Sequence, residues 1–248
     1  MDLGISGRTA AVAAGTAGLG FASAKALVDA GVRVVICGRG RERLDAAVAR
    51  LGATAIGVEC DVSTADGAAM FVDLARERLG HVDILVANGG GPKPGNFAAL
   101  NTADYLPALQ QSLLSVVAMC EATVPAMRER KWGRVVAITS ISVRQPIANL
   151  MLSNTARAGV TGFLKTLARE VAADGVTVNS AQPGIHATDR ITQLYGSSPD
   201  AAQLGIPAGV VGDPADFGKV VAFLCGDAAK FVTGTNIQVD GGAYSGLL

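Results

Sequence analysis

The 248-residue chain is 50% hydrophobic, 17% charged and 4% aromatic, and carries 31 glycines, nearly twice the usual share of about 7%. Lysine plus arginine and aspartate plus glutamate both total 21, for a formal net charge of zero. There is thus no general basic field to hold a phosphate polymer, and nucleic acid is not an expected partner. No basic segment leads into an apolar one at Met1-Asp2-Leu3, and charges or glycines interrupt every long apolar stretch, so neither a signal peptide nor a membrane span is indicated. Cys37, Cys60, Cys120 and Cys225 lie far apart with no CxxC pair and no nearby histidine pattern. Neither a zinc site nor a disulfide framework is expected, and a reducing cytoplasm is.

A chain of this length can bury roughly 75% of its unfolded surface, and short apolar runs alternate with stretches of helical period from end to end. The expected elements, in chain order, are strand Thr9 to Ala14, helix Leu19 to Ala30, strand Arg33 to Cys37, helix Glu42 to Leu51, strand Thr54 to Cys60 and helix Ala65 to Leu79. Strand Ile84 to Ala87 and a long helix Thr102 to Arg130 follow. Then come strand Arg134 to Thr139, helix Asn154 to Ala173, strand Thr177 to Ala181, helix Pro214 to Leu224 and strand Ile237 to Val239. Runs such as ILVA and VVAI are apolar at every position, as parallel strands covered by helices on both faces require. No repeat, charge block or linker marks a second domain, and Asp189 to Asp213 reads as a loop or lid. The reading is one α/β domain over residues 1–248, a Rossmann-type doubly wound parallel sheet whose ligand site lies beyond the carboxyl ends of its strands.

The first strand runs into Ala13-Ala14-Gly15-Thr16-Ala17-Gly18-Leu19-Gly20 and then at once into a helix. Glycines let a backbone turn tightly against a pyrophosphate, and the free N–H groups and dipole of the helix start stabilise its charge. Gly15, Gly18, Leu19 and Gly20 are therefore candidate cofactor-binding residues. After the second strand comes Gly38-Arg39. An NAD site usually places an acid there for the ribose hydroxyls, whereas an arginine pairs with the 2′-phosphate of NADP. Arg39 favours NADP(H) over NAD(H), the alternative being a solvated arginine among Arg41, Glu42 and Arg43.

These pieces, in order and with Cys60-Asp61-Val62, Ala87-Asn88-Gly89-Gly90, Ser140, Pro183-Gly184 with Thr188, and Val239-Asp240-Gly241-Gly242, resemble a short-chain dehydrogenase/reductase over nearly the whole chain, in the style of the 3-oxoacyl-carrier-protein reductases. The resemblance implies that Asp61 and Val62 contact adenine, that Asn88 and Gly89 lie by the cofactor ribose, and that Pro183, Gly184, Ile185 and Thr188 border the nicotinamide end. It also implies hydride transfer to or from a small-molecule carbonyl or alcohol, and a homo-tetramer assembled through the long apolar helices.

The chain departs from the family pattern in two places. The glycine motif TGxxxGxG becomes AAGTAGLG, with Ala13 and Ala14 in the Thr and first Gly positions; alanine is strained there by roughly 1 kcal/mol if φ is positive, unless Gly15 supplies the freedom one residue later. At the active site the family uses an Asn, a Ser, a Tyr and a Lys, and the matching positions here hold Ser112, Ser140, Ser153 and Arg157. A serine hydroxyl does not titrate near neutrality unaided, and a guanidinium cannot relay its proton. Arg157 can still bond the nicotinamide ribose.

Three readings follow. In the first, the protein is a reductase whose proton comes from another group; His186 has the most suitable ordinary pKa, about 6.5, with Tyr105 and Tyr195 behind it. In the second, it binds cofactor without turnover, as a sensor or partner subunit. In the third, Arg157 and Arg144 hold a substrate carboxylate or phosphate for different chemistry. A Ser140–Ser153–His186 nucleophilic triad finds no orienting acid at a readable spacing, which disfavours a hydrolase. Lys93, in the loop after the fourth strand, faces phosphate or solvent.

Overall fold

The computed structural model describes residues 2–189, 191–192, 196 and 199–247. Its seven strands are β1 (Thr9–Val12), β2 (Arg33–Gly38), β3 (Ala55–Glu59), β4 (Ile84–Ala87), β5 (Gly133–Ile138), β6 (Val176–Pro183) and β7 (Asn236–Val239). They form one sheet in the order β3-β2-β1-β4-β5-β6-β7, and every adjacent pair is parallel. The order reverses direction between β1 and β4, which opens a crevice at their carboxyl ends.

The apolar runs within β1, β2 and β4 arise because alternate residues enter two different cores. Ala11, Val35, Cys37, Leu85 and Ala87 pack under α3 (Ala65–Leu79), α5 (Ser115–Glu129) and α6 (Met151–Val171). Their neighbours Ala10, Val12, Val34, Ile36, Ile84 and Val86 pack under α1 (Gly18–Asp29), α2 (Arg41–Leu51) and α7 (Pro214–Cys225). The largest side chains buried on the two sides include Phe71 and Phe217.

The observed element boundaries lie close to the expected ones, with one internal difference. The helix expected over Thr102 to Arg130 is not continuous. After Asn101 caps a 3-10 turn at Thr102–Asp104, α4 (Tyr105–Leu109) widens into a π turn over Gln110–Leu114 before α5 begins. Ser115 Oγ bonds the Gln111 carbonyl at 2.8 Å, the back-bonding that bends helices. Such widened turns recur at functional sites.

Over the expected loop Asp189 to Asp213, the described residues are pinned at several points. Ala187 N donates to Gly212 O at 2.8 Å, Gly212 N to Ile185 O at 3.0 Å, and Ala208 N to Gly241 O at 3.0 Å beyond β7. Asp213 then caps α7 through Ala215 N at 2.8 Å.

Candidate cofactor and active site

The crevice opens with the turn between β1 and α1. Ala14 has φ +47°, so the alanine in the first glycine position does sit in the left-handed region. Gly15 does not relieve it, because Gly15 is not among the residues of positive φ. What Gly15 supplies is space: a Cβ there would lie 2.7 Å from Ile36 Cγ2. Gly18 takes φ +54°. At Gly20 a Cβ would stand 2.5 Å from the Ala14 carbonyl and 2.6 Å from Asn88 Nδ2. Asn88 donates to Ala13 O at 3.2 Å and to Ala14 O at 3.4 Å, so it holds the turn rather than pointing away from it. Half-buried Leu19 packs into the α1 side of the core.

The start of α1 has no side-chain cap on Ala17 and no acid in its first turn. Its N–H groups and dipole are thus left to face an anion. Thr188 comes across from the β6 loop, its Cγ2 3.5 Å from where a Gly18 Cβ would be. A glycine cradle, an uncapped helix start and a threonine over both fit a pyrophosphate.

Beyond this turn lies a cleft of about 840 Å³ lined by Thr16, Arg39, Arg43, Asp61, Val62 and Gln111, among others. Val62 is buried, while Asp61 and Arg39 stand at the rim with Arg39 Nη1 3.9 Å from Asp61 Oδ2. The Arg39 side chain is 77% exposed, so this pairing is weak and leaves the guanidinium able to meet a phosphate. Arg41 is occupied by Asp45 at 2.9 Å. Beneath the cleft, burial pushes the Cys37 thiol up to about 12, which leaves it un-ionised and unreactive.

A second, small cavity adjoins the cleft through Gly90 and Gln111, which line both. Its wall includes Asn88, Gly89, Ser112, Thr139 and Arg157. Arg157, on α6, donates from Nε to Ser153 Oγ at 3.2 Å and from Nη1 to Ile138 O at 3.2 Å. The first bond lies within α6, and the second ties α6 to the end of β5, two residues before Ser140. Ser140 caps the 3-10 turn Ile141–Val143 by accepting from Ser142 N at 3.0 Å, which leaves its own O–H to donate elsewhere. Ser112 sits inside the π turn with its Oγ buried and without a hydrogen-bond partner among the described residues.

The structure therefore brings Asn88, Gly89, Ser112 and Arg157 around one cavity, with Ser153 on Arg157 and Ser140 just beyond Ile138. His186 is not brought to them. Its ring is 5% exposed, meets Phe217 edge-on at 5.2 Å and lies against Gly212, where a Cβ would be 2.7 Å from the ring. Nδ1 is 3.3 Å from Gly184 O, and burial lowers the imidazole pKa below its usual range. The histidine expected to supply the proton is instead packed between the β6 loop and α7.

Pro183 closes β6, and Gly184 N donates to Val239 O at 3.0 Å. Ile185 is half-buried, its carbonyl taken by Gly212. Lys93 is 58% exposed to solvent, and its ammonium, 2.5 Å from Asp104 Oδ1, holds that carboxyl below the usual carboxylate range. Tyr105 is half-buried at the start of α4, and Tyr195 lies outside the described residues. Arg144 lies over the Tyr244 ring, 5.8 Å from its centroid. Gln111, Thr139 and Tyr244 were not singled out from sequence; for Gln111 the signal was its place beside Ser112. Among the described residues no cluster of His, Cys, Asp and Glu suits a metal ion, and no helix is long and apolar enough to cross a membrane.

The family described as enoyl-(acyl carrier protein) reductase matches residues 13–244. The chain is 32% identical over 238 residues to a 3-oxoacyl-[acyl-carrier-protein] reductase of Haemophilus influenzae, covering 96% of this chain and 98% of that protein. Among solved structures, L-sorbose reductase of Gluconobacter frateurii with NADPH and L-sorbose superposes with a TM-score of 0.93 at 28% identity, covering 100% of both chains. An NADPH-bound short-chain oxidoreductase of Pseudomonas aeruginosa PAO1, described as containing an atypical catalytic center, superposes with a TM-score of 0.90 at 29% identity, covering 98% of this chain and 99% of that one.

Proposed function

The chain belongs to the short-chain dehydrogenase/reductase family, and we propose that within it the protein is an NADPH-dependent carbonyl reductase whose active site keeps the family serine, Ser140, and uses Ser153 and Arg157 in place of the family tyrosine and lysine. The observation that carries this reading is the continuity of the site. The cleft at Arg39 and the cavity at Ser112 and Arg157 meet at Gly90 and Gln111, as one extended dinucleotide would require. The NADPH in the similar Gluconobacter and Pseudomonas proteins supports the choice of cofactor, and the description of the latter as containing an atypical catalytic center supports an active site that departs from the usual one.

Arg39 would take the 2′-phosphate, Asp61 and Val62 the adenine, and Gly18, Gly20 and the α1 start the pyrophosphate. Asn88 and Gly89 would lie by the ribose, and Pro183, Gly184, Ile185 and Thr188 by the nicotinamide. The cofactor, when bound, supplies the hydride. Ser140 Oγ–H donates to the substrate carbonyl oxygen. Arg157 Nε–H donates to Ser153 Oγ, which polarises that hydroxyl so that its own proton supports the negative charge growing on the same oxygen. The hydroxyls thus act as a preorganised oxyanion site, and the proton that completes the alcohol is drawn from water.

A homo-tetramer assembled through the long helices is part of this proposal, with Leu106, 63% exposed on α4, as an apolar contact it would cover. The four buried, free cysteines support a reducing cytoplasm. A sensor that binds cofactor without turnover is the second reading, favoured only by His186 being turned away.

The test is titration of the purified protein with NADPH and NADH by fluorescence, followed by cofactor consumption with ketones and 3-oxoacyl thioesters. NADPH is expected to bind more tightly than NADH, to lose that advantage in Arg39→Ala, and to be consumed with a carbonyl partner. Failure of both cofactors to bind below millimolar concentration would overturn the reading. Binding without consumption would leave the sensor.

A further inference from the structure

Two loops leave the sheet on either side of β6 and meet above it. The first leaves β5 through Ser140 and the 3-10 turn Ile141–Val143, whose last member is followed by Arg144, bonded N to Ile141 O at 3.0 Å. The second leaves β7 through Asp240, which accepts Gly242 N at 3.0 Å and Tyr244 N at 2.9 Å through its two carboxylate oxygens. Asp240 itself stands behind Gly184, where a Cβ would be 2.7 Å from its Cβ. The two loops join where the Arg144 guanidinium lies over the Tyr244 ring. Since β6 runs between β5 and β7, this pair spans the loop at which the cofactor's reacting end is proposed to lie.

Arg144 is exposed and among the described residues makes no ion pair with a carboxylate. Its guanidinium lies over an aromatic ring at the outer limit of cation–π contact, which biases its orientation without neutralising it. Its planar N–H fork, which no carboxylate among the described residues occupies, matches a carboxylate with two parallel hydrogen bonds. A 3-10 turn rises about 2 Å per residue, so the guanidinium starts only about 8 Å along the chain from Ser140 and the carbonyl it would hold.

We propose that Arg144, braced by Tyr244, is the residue that selects substrate, and that the substrate is a short carbonyl compound bearing a carboxylate a few bonds from the carbonyl: an oxo acid. The inference rests on the reductase reading for its chemistry. The carbonyl carbon gains the hydride and the oxygen a proton, giving the hydroxy acid and oxidised cofactor. The carboxylate stays unchanged on Arg144 throughout.

The experiment compares pyruvate, acetoacetate and laevulinate with their methyl esters, which keep the carbonyl and remove the charge. In the wild-type protein the acid of at least one pair is expected to exceed its ester at least 10-fold in kcat/KM. Arg144→Gln should bring that ratio close to one, Arg144→Lys should keep part of it, and Tyr244→Phe should preserve it while Tyr244→Ala lowers it. Esters used as well as acids by the wild type, or a preference that survives Arg144→Gln in a protein with an unaltered melting profile, would overturn the proposal. Calorimetric binding of the same acid and ester pairs, with and without NADPH, decides the question even if the chemical step is too slow to follow. Failure of NADPH to bind strikes the reductase reading, whereas equal binding of acid and ester strikes Arg144 alone.

Discussion

The two ends of the same sheet differ in how their carboxylates and guanidinium groups are answered. At the amino end, Asp83 is 3% exposed and fully engaged. It accepts Thr9 N at 3.3 Å and lies 3.9 Å from Arg8, 3.7 Å from Arg130 and 3.3 Å from His81. Next to it Trp132 is flanked by Arg8 at 3.9 Å and Arg134 at 4.3 Å. Most charges are paired there, although the buried Arg134 donates only to carbonyls, with its Nε unpartnered among the described residues, and Lys131 takes φ +56°. At the carboxyl end stand an alanine at positive φ, a buried serine hydroxyl without a described partner, and arginines 39 and 144 whose charge is only loosely answered. β1 and β4 carry apolar runs toward both ends, so along them the difference lies in the residues at the turns. It teaches that the carboxylate network at the amino edge serves stability without serving the ligand, so variants at Asp83 should leave cofactor binding alone.

The largest effect should come from Arg157→Met, which removes the donor to both Ser153 and Ile138. By analogy with loss of one oxyanion-site donor, kcat is expected to fall about 10²–10³-fold. Single-turnover reduction at saturating NADPH measures this without product release. A fall confined to KM would mean that Arg157 serves binding only.

At the other edge, Asp83→Ala should lower unfolding free energy by about 2–3 kcal/mol, since a buried carboxylate bonded to charged partners is lost. For a chain of this size that is a drop in Tm of about 4–12 °C. NADPH affinity should be unchanged; if it falls in parallel, the two edges are coupled and the contrast fails.

His186 gives a pH signature. Burial holds its folded-state pKa below the unfolded value, so the folded protein binds fewer protons than the unfolded chain as the imidazole titrates. The stability tied to the neutral ring is therefore present above the ordinary value of about 6.5 and is lost as pH falls through that value toward the folded one. Urea midpoints measured from pH 8 to pH 5 should decline over the acid half of that range, and His186→Leu should flatten the decline.

Ala14→Gly should act in the opposite sense from the other substitutions. Relief of the left-handed methyl is worth about 1 kcal/mol, set against the greater freedom of glycine in the unfolded chain. Equal or slightly raised Tm with tighter NADPH binding is expected.

The fold was legible because strands buried on both faces cannot hide their apolar runs, and the β1–α1 turn was legible because strand, glycines and helix follow one another directly. The positive φ at Ala14 was readable as a condition on its position. The orientation of His186 was not, because it is set by Phe217 and Gly212, which come from α7 and the chain before it. The π turn at Gln110–Leu114 also left no mark, since no glycine or proline interrupts the apolar period there. The Arg144–Tyr244 pairing joins residues from loops after two different strands, and only the strand order makes them neighbours.

The smallest effect is expected at Ser112, and it discriminates most finely between the two edges. A hydroxyl that is buried with no partner carries a desolvation penalty, so Ser112→Ala should be neutral or stabilising by up to about 1 kcal/mol if the group does nothing but fill the π turn. Asp83 offers no such latitude, because every oxygen there is used. Ser112 also lines the cavity shared with Arg157, and a hydroxyl retained there for chemistry would behave differently: stability would stay level or rise while kcat fell. Measuring Tm and kcat on the same preparation therefore separates a tolerated imperfection of the widened helix from a polar group held unsatisfied for the reacting complex.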